Sequence, residues 1–311
     1  MSGTLPADEP ECVREPSPSV ELMIDARPRD LGGFTVRRVL PSPQRRAVGP
    51  FVFFDHMGPT DLLPGTGFDV RPHPHIALAT VTFLFSGEIV HRDSVGSLQA
   101  IRPGDVNWMV AGSGITHSER SGEATRRDGM HLHGIQSWVA LPRASEESEP
   151  SFAHHPARTV PSRSANDVQL EVIAGSAFGL RSPVAVLSPT LYVHARLEQG
   201  ARLTLDAEHA QRAVYIVEGA ISCDGRRFES GTLVVLKAGG DVQLTALEPV
   251  RLMLLGGAEL DGERHLLWNF VSSSRERLQR AQDDYRAGRF PRVVGDDGEF
   301  IPLPESRPPT H

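Results

Sequence analysis

Arg71-Pro-His-Pro-His75 and Gly114-Ile-Thr-His-Ser-Glu119 frame the stretch whose reading decides the fold. Between them Thr80-Val-Thr-Phe-Leu-Phe-Ser-Gly87 mixes β-branched and aromatic residues and then stops at glycine, the signature of a strand running into a turn. In a strand, side chains two residues apart leave the same face, so His73 with His75, and His117 with Glu119, each deliver a pair of donors to one side of a sheet. If that sheet closes on itself, both pairs point inward. Three imidazoles and one carboxylate suit a divalent first-row metal and leave positions open for water, oxygen or substrate on an octahedral ion. With 13 His in 311 residues, one close pair carries little weight; two dyads bracketing a strand carry more.

The flanks add order to the dyads. Phe83-Leu-Phe-Ser-Gly-Glu88 is a strand entering a turn, and Arg102-Pro-Gly-Asp105 is a second turn before Trp108-Met-Val-Ala-Gly112. His-x-His, a glycine hairpin, Pro-Gly and then a second ligand pair is the order found in the cupin barrel. Residues 49–142, carrying these motifs in sequence, resemble the N-terminal domain of the pirin family. The resemblance implies one divalent ion held by His73, His75, His117 and Glu119, iron(II) being the family's usual metal, with Ni, Mn, Zn, Co or Cu as alternatives. It also implies two classes of function. Several bacterial pirins open the ring of the flavonol quercetin with O2, a reaction in which Glu119 would be the catalytic base. Others are metal-dependent, redox-sensing regulators whose partner is a transcription factor or a metabolic enzyme. The bacterial coding bias and acidic composition tilt the reading toward the enzyme.

The second half repeats the first. Val81-Thr-Phe-Leu-Phe-Ser-Gly87 lies on Ala213-Val-Tyr-Ile-Val-Glu-Gly219, and Pro103-Gly-Asp105 on Ser230-Gly-Thr232. Many short strands between turn signals, duplicated, make the fold class all-β: two tandem cupin (double-stranded β-helix, jelly-roll) barrels. The offset of Gly87 to Gly219 carries His73 and His75 onto Leu205 and Ala207; that of Gly104 to Gly231 carries His117 and Glu119 onto Leu244 and Ala246. All four donors are lost. The second barrel is expected to be metal-free, with His209 a surface or hydrogen-bonding residue. The expected organisation is a disordered, Pro- and Glu-rich tail over 1–18, the metal-binding barrel over 19–143 and a linker over 144–166. The metal-free barrel follows over 167–262, then a helix and tail over 263–311. Ser272 to Arg286, with Leu278, Ala281 and Tyr285 at helical spacing and Gly288 as a stop, predicts one amphipathic helix that packs on a barrel.

Composition narrows the function classes. No apolar run is long enough to span a bilayer and no signal-peptide pattern opens the chain, so no membrane partner is expected. Cys12 and Cys223 are the only cysteines, which argues against a disulfide framework and for the cytoplasm. Lys237 is the sole lysine among 32 basic residues, a bias of GC-rich bacterial coding. A net charge of −7 without a basic stripe disfavours direct nucleic-acid binding. Gly112-Ser-Gly114 lacks the third glycine of a dinucleotide fingerprint and precedes a ligand dyad rather than a helix, so nucleotide binding is rejected.

Several polar residues have two readings each. His91 and Asp93, two apart, either supply acceptors for the metal-bound imidazoles or belong to a turn. His131 and His133 are candidates for the cavity lining, as is the Phe53, Asp55, His56 segment, where His56 replaces an acidic residue of many pirins. Ala79 stands where the general cupin motif and many pirins have Glu; because family members bind metal through the later His-x-Glu pair, this departure leaves the metal in place.

Overall fold

The computed structural model describes residues 17–30 and 34–304. Two antiparallel barrels, each built of one large and one small sheet, follow one another along the chain. In the first, Leu78–Ser86, Met130–Ala140, Phe51–Leu62 and their neighbours form a seven-stranded sheet. The smaller sheet runs in the order Asp69–His75, Ile115–Arg120, Ile89–Asp93, Leu98–Ile101. In the second, Thr190–Leu197, Gln211–Glu218 and Val250–Gly257 lie within an eight-stranded sheet facing a four-stranded one. The repeat is geometric as well as sequential: Gly87 and Gly219 end equivalent strands with φ of 89° and 77°, a conformation open to glycine and costly for other residues.

Alternation along the central strands sorts side chains into two environments. Val81 and Phe83 join Phe51, Phe54, Tyr192, Tyr215 and Met253 in an apolar layer between the two large sheets. Thr82, on the other face of the same strand, turns into the first barrel and donates to Glu119. Burying both faces of each large sheet makes the two barrels one packed body, so their strands read as near-continuous apolar runs.

The boundaries expected from the sequence differ from the pairing. Val20–Asp25 pairs with Thr232–Leu236, adding the first described strand to the second barrel's sheet. Ser17, inside the stretch expected as a disordered tail, is buried and its hydroxyl donates to Asp224; residues 1–16, with Cys12, lie outside the described residues. The 144–166 stretch is no bare connection. Ser151–His155 pairs with Val106–Val110 of the first barrel, Ser162–Ala165 with Val168–Ala177 of the second, and Glu146 is buried in an ion pair with Arg264 at 2.9 Å. Sheet edges carry unpaired backbone donors and acceptors, and flanking segments are the chain at hand to satisfy them. Composition cannot show which edge they take.

The C-terminal helix forms over Arg275–Arg286, its N-terminus capped by the Ser274 hydroxyl accepting from Arg277 N–H. Leu278 and Ala281 pack on Ile76 and Phe270 at the first barrel. A short second helix, Glu123–Asp128, was not expected from the sequence and buries no residue. No helix among the described residues is long and apolar enough to cross a membrane.

Candidate metal centre

The Asp69–His75 and Ile115–Arg120 strands are antiparallel neighbours, with His73 opposite His117. This register converts two sequence dyads into one cluster. One ligand atom from each of His73, His75 and His117 lies within 4.8 Å of the other two, and all three residues are buried. The His75 and His117 Nε2 atoms are 3.1 Å apart, a separation that two nitrogens at metal-bonding distance from one ion adopt. The geometry fits a divalent ion.

The other ring nitrogens are spoken for. His73 Nδ1–H donates to the Arg71 carbonyl and His75 Nδ1–H to the Asn269 carbonyl, each at 2.9 Å. Both bonds fix the tautomer that leaves Nε2 with its lone pair facing the cluster. His117 Nδ1 approaches His91 Nδ1 at 3.4 Å, and His91 Nε2–H donates to Asp93 Oδ2 at 2.9 Å. Asp93 also accepts from the Val95 and Ser97 amides. Burial pushes its carboxyl up, but the bonds from His91 and Ser97 outweigh that and hold it below the ordinary carboxylate range. Of the two readings of His91 and Asp93, both are realised: Asp93 closes a turn and anchors a chain of contacts that ends on His117.

Desolvation keeps the cluster unprotonated. Burial lowers His73 to about 4, and His75 and His117 well below the usual imidazole range. Metal ligands must be free bases, and these three are so at neutral pH. Glu119 stands apart from the three-histidine group. It is buried and accepts from the Thr82 hydroxyl at 3.0 Å. Burial raises its pKa, against the nearby His91 and the bonds from Thr82 and Gln136.

A cavity of about 480 Å³ opens onto this cluster, with His73, His75 and Glu119 on its wall. Phe53 and Trp138 stack with ring centres 4.0 Å apart, and the Arg38 guanidinium lies 4.4 Å over Phe53 while binding Asp55 through two hydrogen bonds of 2.8 Å. Leu266, Trp268, Asn269 and Ile301 bring the C-terminal segment over the same space. No sequence pattern marks Trp268-Asn269-Phe270 for this place. Its function depends on a backbone carbonyl, which no residue type announces.

Phe53 and Asp55 do line the cavity, but His56, His131 and His133 do not. His131 is exposed and pairs with Asp61. His56 and His133 leave the opposite face of their strands and meet between the barrels, Nε2 to Nε2 at 2.7 Å, with His56 Nδ1 2.9 Å from the Tyr215 hydroxyl. Ala79 lies in the apolar layer between the barrels, so the missing carboxylate is not a gap in the cavity wall. In the second barrel Leu205, Leu244 and Ala246 are buried in an apolar core, and His209 Nε2–H donates to the Ser176 carbonyl at 2.8 Å, a hydrogen-bonding role.

Tandem jelly-roll barrels with a buried histidine cluster in the first define a bicupin with, among the described residues, one candidate metal centre. Residues 33–139 match the Pirin family and residues 192–291 the Pirin C-terminal cupin domain, and the chain belongs to the pirin family. It is 51% identical over 290 residues to a pirin-like protein of Caulobacter vibrioides, covering 92% of this chain and 100% of that one. It is similar to the crystal structure of quercetin 2,3-dioxygenase from Acinetobacter baumannii, with TM-score 0.86, 30% identity and coverage of 93% and 96%. A bacterial pirin from Escherichia coli, solved in complex with nickel(II), shares the fold at TM-score 0.61 and 16% identity, covering 77% of this chain and 99% of that one.

Proposed function

We propose that this chain is a dioxygenase that opens the central ring of a flavonol such as quercetin with O2, using one iron(II) ion held by His73, His75, His117 and Glu119. The observation that carries the reading is the cavity itself: an aromatic-walled space of about 480 Å³ whose floor is the histidine cluster. The iron supplies the electron exchange with oxygen and the positive charge that favours the flavonol as its anion. The residues do the rest. Phe53, Phe68, Trp138 and Trp268 give the cavity an aromatic lining that suits a planar substrate and excludes water from around it. Glu119 takes the 3-hydroxyl proton of the flavonol, and its buried setting raises its basicity toward that task. Thr82 holds the carboxylate in place. The similarity to the Acinetobacter enzyme supports this choice of substrate.

The test is quercetin turnover by metal-stripped protein reloaded anaerobically with iron(II), with oxygen admitted last. Loss of the flavonol absorbance band only after oxygen enters is expected. A metal-replete protein that binds oxygen-exposed quercetin without consuming it overturns the reading and favours the regulatory class.

A further inference from the structure

Beside the metal cavity lies a cleft of about 350 Å³, formed where the Arg27–Asp30 and Thr35–Leu40 strands meet the turn that follows. Its walls carry Arg27, Arg29, Arg38 and Arg46 against one carboxylate, Asp25. Arg38 and Pro41 line both this cleft and the metal cavity, so the two spaces share a rim. On a chain of net charge −7, this is a local reversal of sign.

The charges in the cleft are unequally engaged. Arg38 is committed to Asp55, and Asp25 accepts from the Thr232 hydroxyl at 3.1 Å. The guanidinium groups of Arg27, Arg29 and Arg46, all three exposed, make no hydrogen bond or ion pair among the described residues, although the Arg27 and Arg29 backbones are paired in the strand. Arg29 acts on buried Asp55 through its field alone. Guanidinium groups gathered without counter-charges repel one another, and a shared oxyanion relieves that repulsion. The planar fork of arginine fits carboxylate, sulfate and phosphate oxygens in pairs.

We infer that the natural ligand of the metal cavity is an aromatic molecule bearing an acidic substituent, which passes Arg38 and is bound in this cleft by Arg27, Arg29 and Arg46. The inference rests on the reading of the cavity as an aromatic-substrate site and names the class of substrate within it. The neutral flavonol is then a partial substrate, filling the cavity and leaving the cleft empty.

The experiment compares quercetin with quercetin 5′-sulfonate, both anaerobically and without turnover, by quenching of tryptophan fluorescence, since Trp138 and Trp268 border the cavity. At low salt the sulfonate is expected to bind about 10-fold tighter, the scale of one charge-assisted hydrogen bond. That advantage should shrink as salt rises toward ~0.5 M. In the Arg29→Gln, Arg46→Gln double variant the ratio of the two dissociation constants should fall toward one, and the Arg29→Lys, Arg46→Lys pair should recover part of it. Equal binding of the two compounds by the parent, or an undiminished ratio in the glutamine variant, overturns the inference. Arg-dependent preference without oxygen consumption sinks the dioxygenase reading and keeps this one. Equal binding of the two flavonols by a protein that consumes quercetin once oxygen is admitted does the reverse, and absence of binding by either compound overturns both.

Discussion

Where the first barrel carries His73, His75, His117 and Glu119, the strand register of the second places Leu203, Leu205, Leu244 and Ala246, two residues short of Ala207, which the sequence repeat had set against His75 and which lies exposed beyond the strand. The consequence is visible in what fills each interior. Leu205, Leu244 and Ala246 are packed among Leu203, Ile221, Phe228 and Val242 in a continuous apolar core. In the first barrel His73, His75 and Glu119 face a cavity of about 480 Å³. The apolar packing there divides into a cluster around Phe53 and Trp138 and another around Met57 and Phe68. One copy of the fold spends its interior on packing; the other leaves room for a ligand and holds imidazoles without their hydration. The large sheets of both pack on one another, so the filled barrel supports the hollow one.

The contrast can be broken most completely by His73→Ala with His75→Ala. Removing two of three clustered imidazoles is expected to abolish bound metal, measured by elemental analysis of the purified protein, and retention of full metal content would refute the site. Alanine at the matching pair in the second barrel, Leu203 and Leu205, should affect metal content not at all.

Glu119 sharpens the comparison next, since its counterpart Ala246 has no donor atom. Glu119→Gln is expected to keep much of the metal, because three histidines remain, and to lose quercetin turnover by ~10²-fold or more, the scale of a missing general base. Equal loss of metal and activity would make Glu119 a ligand and nothing else.

A cavity-forming change in the filled barrel gives the converse. Leu244→Ala should cost about 2–5 kcal/mol of unfolding free energy, the range for truncating a buried leucine, while metal content stays at the parent level. Chemical denaturation with metal analysis on the same samples separates the two readouts.

The smallest effect expected is a pH dependence seated between the barrels. Burial lowers His56 to about 2 and His133 to about 4, with Arg37 and Arg251 acting the same way and Glu218 opposing at His133. Both values lie below that of the unfolded chain. As pH falls below about 6.5 the unfolded state takes up protons that the folded state refuses, so stability is full above that pH and declines toward pH 4. Each imidazole contributes about 1.4 kcal/mol per pH unit inside that window. Urea midpoints at pH ~7.5 and ~5.5 should differ less in His133→Gln than in the parent. An equal drop in both would place the acid sensitivity elsewhere, the buried ligand histidines being the other source of the same sign.

The His-x-His and His-x-Glu dyads were legible as pairs because strand periodicity is local: a side chain two residues from another shares its face wherever the strand ends up. The same holds for the repeat that empties the second barrel of donors and for the helix capped by Ser274, whose pattern lies within a few turns of chain. His56 and His133 were not legible as interface residues. Their strands bury both faces, so alternation says that neighbours diverge without saying which side is cavity and which is the other barrel. Val20–Asp25, expected within the first barrel, pairs across more than two hundred residues with Thr232–Leu236 of the second; Ser151–His155 looked like linker because its only distinction is the edge it covers.

The sequence by itself determined the donor residues, their pairing on common strand faces, the duplication of the barrel and the apolar residues that stand in for those donors in its second copy. These follow from residue identity and short-range geometry. Only the tertiary structure decided that His73 stands opposite His117, that the Asn269 carbonyl orients His75, and that Trp268 and Ile301 cover the cavity. It also decided that four arginines gather beside that cavity. Each of those facts is a meeting of distant segments, set by sheet register and by the need to satisfy buried backbone groups, and neither of those is written in the pattern of neighbouring residues.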